Sequence, residues 1–213
     1  MGGVLLRQKP TFAVPTVPKI CGDEGFSLIE IFIVMVLTMA MAAMVVPKTS
    51  SLFGNLRLSG DARALSNSIG LAKMRAAADF TRARLFVNRA ARTYRVERFE
   101  KTGGVGWVAE GDATSLSYRV NLSSGSLGTP PPNSQPAIGQ APGCLDNANA
   151  AIANTSCIVF NSRGVPITDA GLSTAADAVY VSDGTAVYGV TVSATGMIKV
   201  WKSGPNTAVW IAQ

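Results

Sequence analysis

Gly25-Phe26-Ser27-Leu28-Ile29-Glu30 heads the stretch that decides the fold, because an apolar run, Ile31 to Val46, follows it directly. A helix rises 1.5 Å per residue, so about 20 apolar residues are enough to cross the hydrocarbon core of a bilayer. From Phe26 to Val46 the only ionisable side chain is Glu30. A carboxylate at that depth is costly, which marks it as a functional residue. A buried charge needs a partner, and no Lys or Arg lies within a helical turn of Glu30.

The rest of the chain reads as an ordinary water-exposed domain. Of 213 residues, 19 are Lys or Arg and 13 are Asp or Glu, a formal charge of +6. Between Arg57 and Arg98 the basic residues outnumber the acids ten to three. Such asymmetry serves nucleic acid, anionic lipid or acidic partner subunits, or else simply a solvated helix face with ion pairs. No groove-reading motif accompanies it. There is no histidine. That removes Ser-His-Asp and Cys-His nucleophilic sites and every His-ligated metal site. The carboxylates Asp169, Asp177 and Asp183 stand where turns are expected, and Asp is a common turn residue. The sequence therefore predicts neither an enzyme nor a cofactor.

Gly25-Phe26-Ser27-Leu28-Ile29-Glu30 followed by an apolar helix resembles the processing site of type IV pilins and of the related type II secretion pseudopilins. The resemblance implies a leader, residues 1–25, that a prepilin peptidase removes by cutting between Gly25 and Phe26, with methylation of the new Phe26 amine. The leader carries Arg7, Lys9 and Lys19 and has no apolar run of its own, unlike an ordinary secretory signal. It is long, and Asp23-Glu24 precedes Gly25 where the family more usually has a basic residue. Its basic residues favour retention in the cytoplasm, with the large C-terminal part beyond the inner membrane. Cutting before Phe26 creates an α-amine at the depth of Glu30. In pilins, the resemblance implies, this Glu pairs with such an amine, its own or a neighbouring subunit's, and sets the axial register of assembly.

The expected architecture is α+β: a helix over residues 26–83, membrane-spanning over 26–46, then a β-rich soluble domain over 84–213. Met35, Met39, Met41 and Met44 suit packing among helix copies or simply face lipid. Pro47 is expected to kink or end the span, and Gly54 and Gly60 weaken the helix beyond it. Leu58, Ala62, Leu65, Ile69, Ala72 and Ala76 recur at three- and four-residue spacing, a stripe for packing on a domain.

Alternation then takes over. Ala83–Asn88 and Arg92–Phe99 read as paired strands, Lys101–Gly106 as a turn leading to Trp107–Ala109, and Ser115–Leu122 as another strand. Ser123–Gly143 is rich in Ser, Gly and Pro and reads as a long surface loop without a core of its own. Ile158–Phe160 reads as a buried strand and Asn161-Ser-Arg-Gly164 as a turn. Residues 178–192 read as a hairpin around Asp183-Gly184. Ser193–Gly196 then turns into a strand from Met197 to Lys202.

Phe160-Asn-Ser-Arg-Gly164, then a hairpin, then Val190-Thr-Val-Ser-Ala-Thr-Gly-Met-Ile-Lys-Val200 is similar to the soluble domain of the GspH/FimT group, which includes minor pilins and the minor pseudopilin H of type II secretion. Cys21 would leave with the leader. Cys144 and Cys157, with 12 residues between them, read as a disulfide in an exported domain, worth on the order of 3 kcal/mol; the alternative is two free thiols.

Three functions are weighed. The first is a minor type IV pilin, a structural subunit that joins a pilus or primes its assembly. The second is a minor pseudopilin of a type II secretion system. The third is a pilus-tip subunit that binds DNA through Lys199 and Lys202, with Trp201 and Trp210 as stacking partners; for these indoles the alternative is a place in the core or at a strand edge. The expected partners are other pilin or pseudopilin subunits through helix packing, the prepilin peptidase and methylase, the inner membrane before assembly, and DNA in the third case.

Overall fold

The computed structural model describes residues 25–104, 106–168, 170–174 and 176–213, with 46–52 and 176 described for their backbone alone. The chain divides into two compact units between Val45 and Val46. Helix α1 (Leu28–Ala78) is followed by strands β1 (Ala83–Asn88), β2 (Thr93–Glu100), β3 (Gly106–Ser115), β4 (Thr155–Phe160), β5 (Pro166–Ile167), β6 (Ala176–Ser182), β7 (Val187–Ser193), β8 (Ile198–Ser203) and β9 (Ile211–Ala212). This is the expected α+β class.

Helical backbone continues through Pro47, Gly54 and Gly60, so α1 does not end where the proline suggested. In the second unit the reason is packing. Leu58, Ala62, Leu65, Ile69, Ala72 and Ala76 are all wholly buried, and burying a stripe of this kind outweighs the ~1 kcal/mol that a helical glycine costs. The helix stops at a Schellman-type cap. Thr81 N donates to the Ala76 carbonyl, 3.2 Å away, and Phe80 takes the left-handed conformation, φ 49°, where glycine is usual.

Two antiparallel sheets follow, in strand orders β3-β2-β1-β4-β5 and β6-β7-β8-β9. Side chains alternate between faces along a strand. One face of each sheet joins the helix stripe in a common core: Leu85, Val87, Ile158 and Phe160 from the first, Val179, Val181, Val190 and Val192 from the second.

The opposite face of the first sheet carries a buried charge cluster. Glu97 accepts from Arg84 Nε and Arg95 Nε, each at 2.7 Å. Arg84 also donates to the Leu145 carbonyl at 2.8 Å and lies 4.0 Å from the centre of the Trp107 ring. Taking charges out of water is tolerable only when each has partners, and here each does. Cys144 and Cys157 form a disulfide with Cα atoms 5.0 Å apart. It closes the loop whose Leu145 carbonyl Arg84 holds.

The second sheet buries Ala178, Tyr180 and Val187 on its opposite face under Leu127, with Ile138 and Trp210 alongside. Here the structure corrects the reading of Ser123–Gly143. The segment has no strand, but it is fastened along the outer edge of β6. Ala141 N donates to Ala178 O at 2.7 Å. The Gln140 side-chain amide donates to Tyr180 O at 2.8 Å and accepts from Tyr180 N at 2.9 Å. Gln135 Oε1 accepts from the Tyr180 hydroxyl at 2.8 Å. An uncovered edge strand would template pairing with other chains, and this strap covers it.

Residues 115–122 are a second correction. Ser115 ends β3 opposite Thr93, and beyond it only Asn121 bridges a strand residue, Ser182. Asp61 on α1 accepts from both the backbone N and the hydroxyl of Ser117, at 2.9 and 3.0 Å. The chain then turns, with Val120 N donating to Ser117 O. Leu116, Val120 and Leu122 are buried, but Tyr118, which a strand would place beside them, is 72% exposed. β3, by contrast, runs well past Ala109 to Ser115, with a bulge opposite Tyr94–Val96.

Candidate functional site

Among its described residues the first unit presents one chemical feature. Leu28–Val45 is apolar, with mean hydropathy 2.5 over 18 residues, long enough to cross a membrane, and none of it is buried within the chain. Ser27 caps it: its carbonyl accepts from Glu30 N at 2.9 Å and from Ile31 N at 3.2 Å. Glu30 thus stands in the first turn, where the partial positive charge of the helix N-terminus favours a carboxylate. Ser27-Leu-Ile-Glu30 is also spelled as a capping box, a local signal for the helix start that the motif reading passed over. Gly25 and Phe26, between which the cut is expected, are both exposed. A side chain at Gly25 would meet nothing within 4 Å. Cys21 and the rest of residues 1–24 lie outside the described residues.

In the second unit much of the basic stretch is spent inside the fold. Arg75 pairs with Glu110, Arg84 and Arg95 with Glu97, and Arg98 reaches Glu100 at 3.8 Å. Arg82 lies over the Phe99 ring at 4.3 Å. These residues are strand and helix-end anchors rather than a free basic face.

Lys199 and Lys202 are not brought together. In β8 they are three residues apart, so they leave opposite faces of the sheet. Lys199 sits opposite Thr191 and Lys202 opposite Tyr188. Lys199 lies 5.9 Å from the centre of the Trp201 ring, and Lys202 lies 5.8 Å from that of Tyr188. Both tryptophans have structural partners: Trp201 Nε1 donates to Thr191 Oγ1 and Trp210 Nε1 to Thr129 O, each at 2.9 Å.

The loop carboxylates also separate. Asp169 lies outside the described residues. Asp177 is not at a turn but in β6, and it is buried. Burial pushes its carboxyl above the ordinary value, only partly offset by the Thr174 hydroxyl, which donates to it at 2.8 Å. Asp183 is in the hairpin turn as expected. Its partial burial acts to raise it, but the Thr185 hydroxyl and the Thr185 and Ala186 amides together outweigh this and hold it below the ordinary value. Among the described residues no three His, Cys, Asp or Glu converge.

No family model and no curated protein matches this chain. Two solved structures of the minor pseudopilin EpsH from the type II secretion system of Vibrio cholerae are similar to it. The first is 12% identical and covers 71% of this chain and 99% of its own, with TM-score 0.42. The second is 11% identical and covers 68% and 92%, with TM-score 0.41. The α+β architecture itself stands on the chain's own helix and sheets.

Proposed function

We propose that this chain is a filament subunit of the type IV pilin kind, a minor pilin that joins a type IV pilus or primes its assembly. The observation that carries the proposal is the uncovered apolar helix Leu28–Val45 with Glu30 in its first turn, directly behind the Gly25-Phe26 junction. Such a surface needs either lipid or copies of itself, because water leaves it unsatisfied by roughly 25 cal/mol per Å². The same helix serves both: it anchors the subunit in the inner membrane, N-terminus cytoplasmic and β-domain outside, and then packs against other pilin helices. Cleavage between Gly25 and Phe26 supplies the amine that neutralises Glu30. A minor pseudopilin of a type II secretion system is built the same way, and genes for pilus assembly or secretion beside this one would separate the two.

The test is the intact mass of protein extracted from the membrane. The proposal expects loss of residues 1–25, one added methyl group on Phe26 and two hydrogens missing at Cys144–Cys157. A full-length, unmethylated protein in assembled filaments would refute it.

A further inference from the structure

We infer that the open face of the second sheet holds a binding site for a small acidic saccharide. A cleft of about 220 Å³ lies between the strap and the β7–β8 hairpin. Pro132 and Asn133 form one wall; Thr191, Met197, Lys199 and Trp201 form the other. The indole is fixed in orientation by its bond to Thr191 Oγ1, so one aromatic surface is preorganised. Among the described residues the Lys199 ammonium and the Asn133 side-chain amide make no hydrogen bond or ion pair within the chain, and both are exposed. The cleft thus offers one apolar ring, one cation, and an amide able to donate and accept. A few convergent polar groups around an aromatic wall are the usual makings of a small-ligand site.

The ligand class follows from the charge count. Single-stranded nucleic acid is held by a groove with several cations tracking its phosphates. This cleft has one, and Lys202 belongs to the other face of the sheet. A pyranose bearing one carboxylate fits the inventory instead: a C–H face for the indole, hydroxyls for Asn133 and a carboxylate for Lys199.

The experiment uses the full chain in a zwitterionic detergent, with glucuronate, glucose and a thymidine oligonucleotide as probes. Binding is read by saturation-transfer NMR and by tryptophan emission, and Trp201→Phe identifies the Trp201 signal. Glucuronate should bind, and glucose should bind roughly two- to fivefold more weakly, the worth of one exposed ion pair. Lys199→Gln should erase that difference, and Asn133→Asp should weaken glucuronate without disturbing the fold. Absence of transfer to either sugar overturns the inference. So does a glucuronate preference that survives Lys199→Gln, or oligonucleotide binding tighter than sugar with a steep salt dependence.

Discussion

Gly196 and Gly164 lie back to back: a side chain on Gly196 would run into the Gly164 carbonyl oxygen. Lys73 from α1 closes the junction, its ammonium donating to the Gly196 carbonyl at 3.0 Å and its stem filling the space beside Gly164. Both glycines have positive φ, 71° and 76°. The turn after β4, the turn after β7 and the helix are thereby joined at one point.

Gly196→Ala should therefore destabilise the domain by about 2–5 kcal/mol, the sum of a left-handed backbone penalty and overpacking against main chain. Gly184→Ala is the control. It has the same kind of φ, 87°, but nothing within 4 Å, and should lose only ~1–2 kcal/mol. Urea midpoints of the two variants make the comparison.

Gln140→Ala should free both backbone groups of Tyr180 on the outer side of β6. Leaving buried polar groups unpartnered costs roughly 1–3 kcal/mol. The expected readout is a lower melting temperature together with faster hydrogen exchange at the Tyr180 amide.

Phe80→Gly should stabilise the protein by about 1 kcal/mol. The left-handed conformation penalises Phe80 but not glycine, and the ring is 78% exposed, so little packing is lost. The Lys101 bond goes to the Phe80 carbonyl and survives the change. A higher urea midpoint with an unchanged slope is the expected result.

Asp177 makes stability depend on pH. Its carboxyl titrates higher in the folded chain than when unfolded, so the folded state binds the extra proton between those two values. Its contribution is fully present below the ordinary carboxylate range and is lost as pH rises through the raised value. Asp177→Asn should flatten that part of the stability profile and raise the melting temperature at neutral pH, measured by thermal scans across the acid range.

If the proposed function holds, Glu30→Ala should leave membrane insertion intact and impair incorporation into the filament, because the Phe26 amine expected after cleavage would lack its partner, a loss of roughly 3–5 kcal/mol. Co-purification with filaments measures it, and normal recovery would remove this role.

Periodic features were legible in the sequence. The Leu58–Ala76 stripe, the pairing of β1 with β2 and the hairpin around Asp183-Gly184 each follow from local spacing. What escaped was set by distant partners. Residues 115–122 alternate like a strand, but Asp61, far away in sequence, captures Ser117 and turns the chain. The strap looked structureless because its ladder partner is a side-chain amide, Gln140, which no backbone pattern announces. The opposite orientation of Lys199 and Lys202 was readable from their odd spacing alone. The left-handed Phe80 had no signal, since glycine is the residue that normally marks it.

Arg84 holds the Leu145 carbonyl independently of the neighbouring cystine. Chemical reduction would consequently leave the thiols tethered side by side rather than released to wander. The covalent link secures what a guanidinium–carbonyl hydrogen bond already helps keep in place, so a reduced molecule should mend itself readily once an oxidant returns.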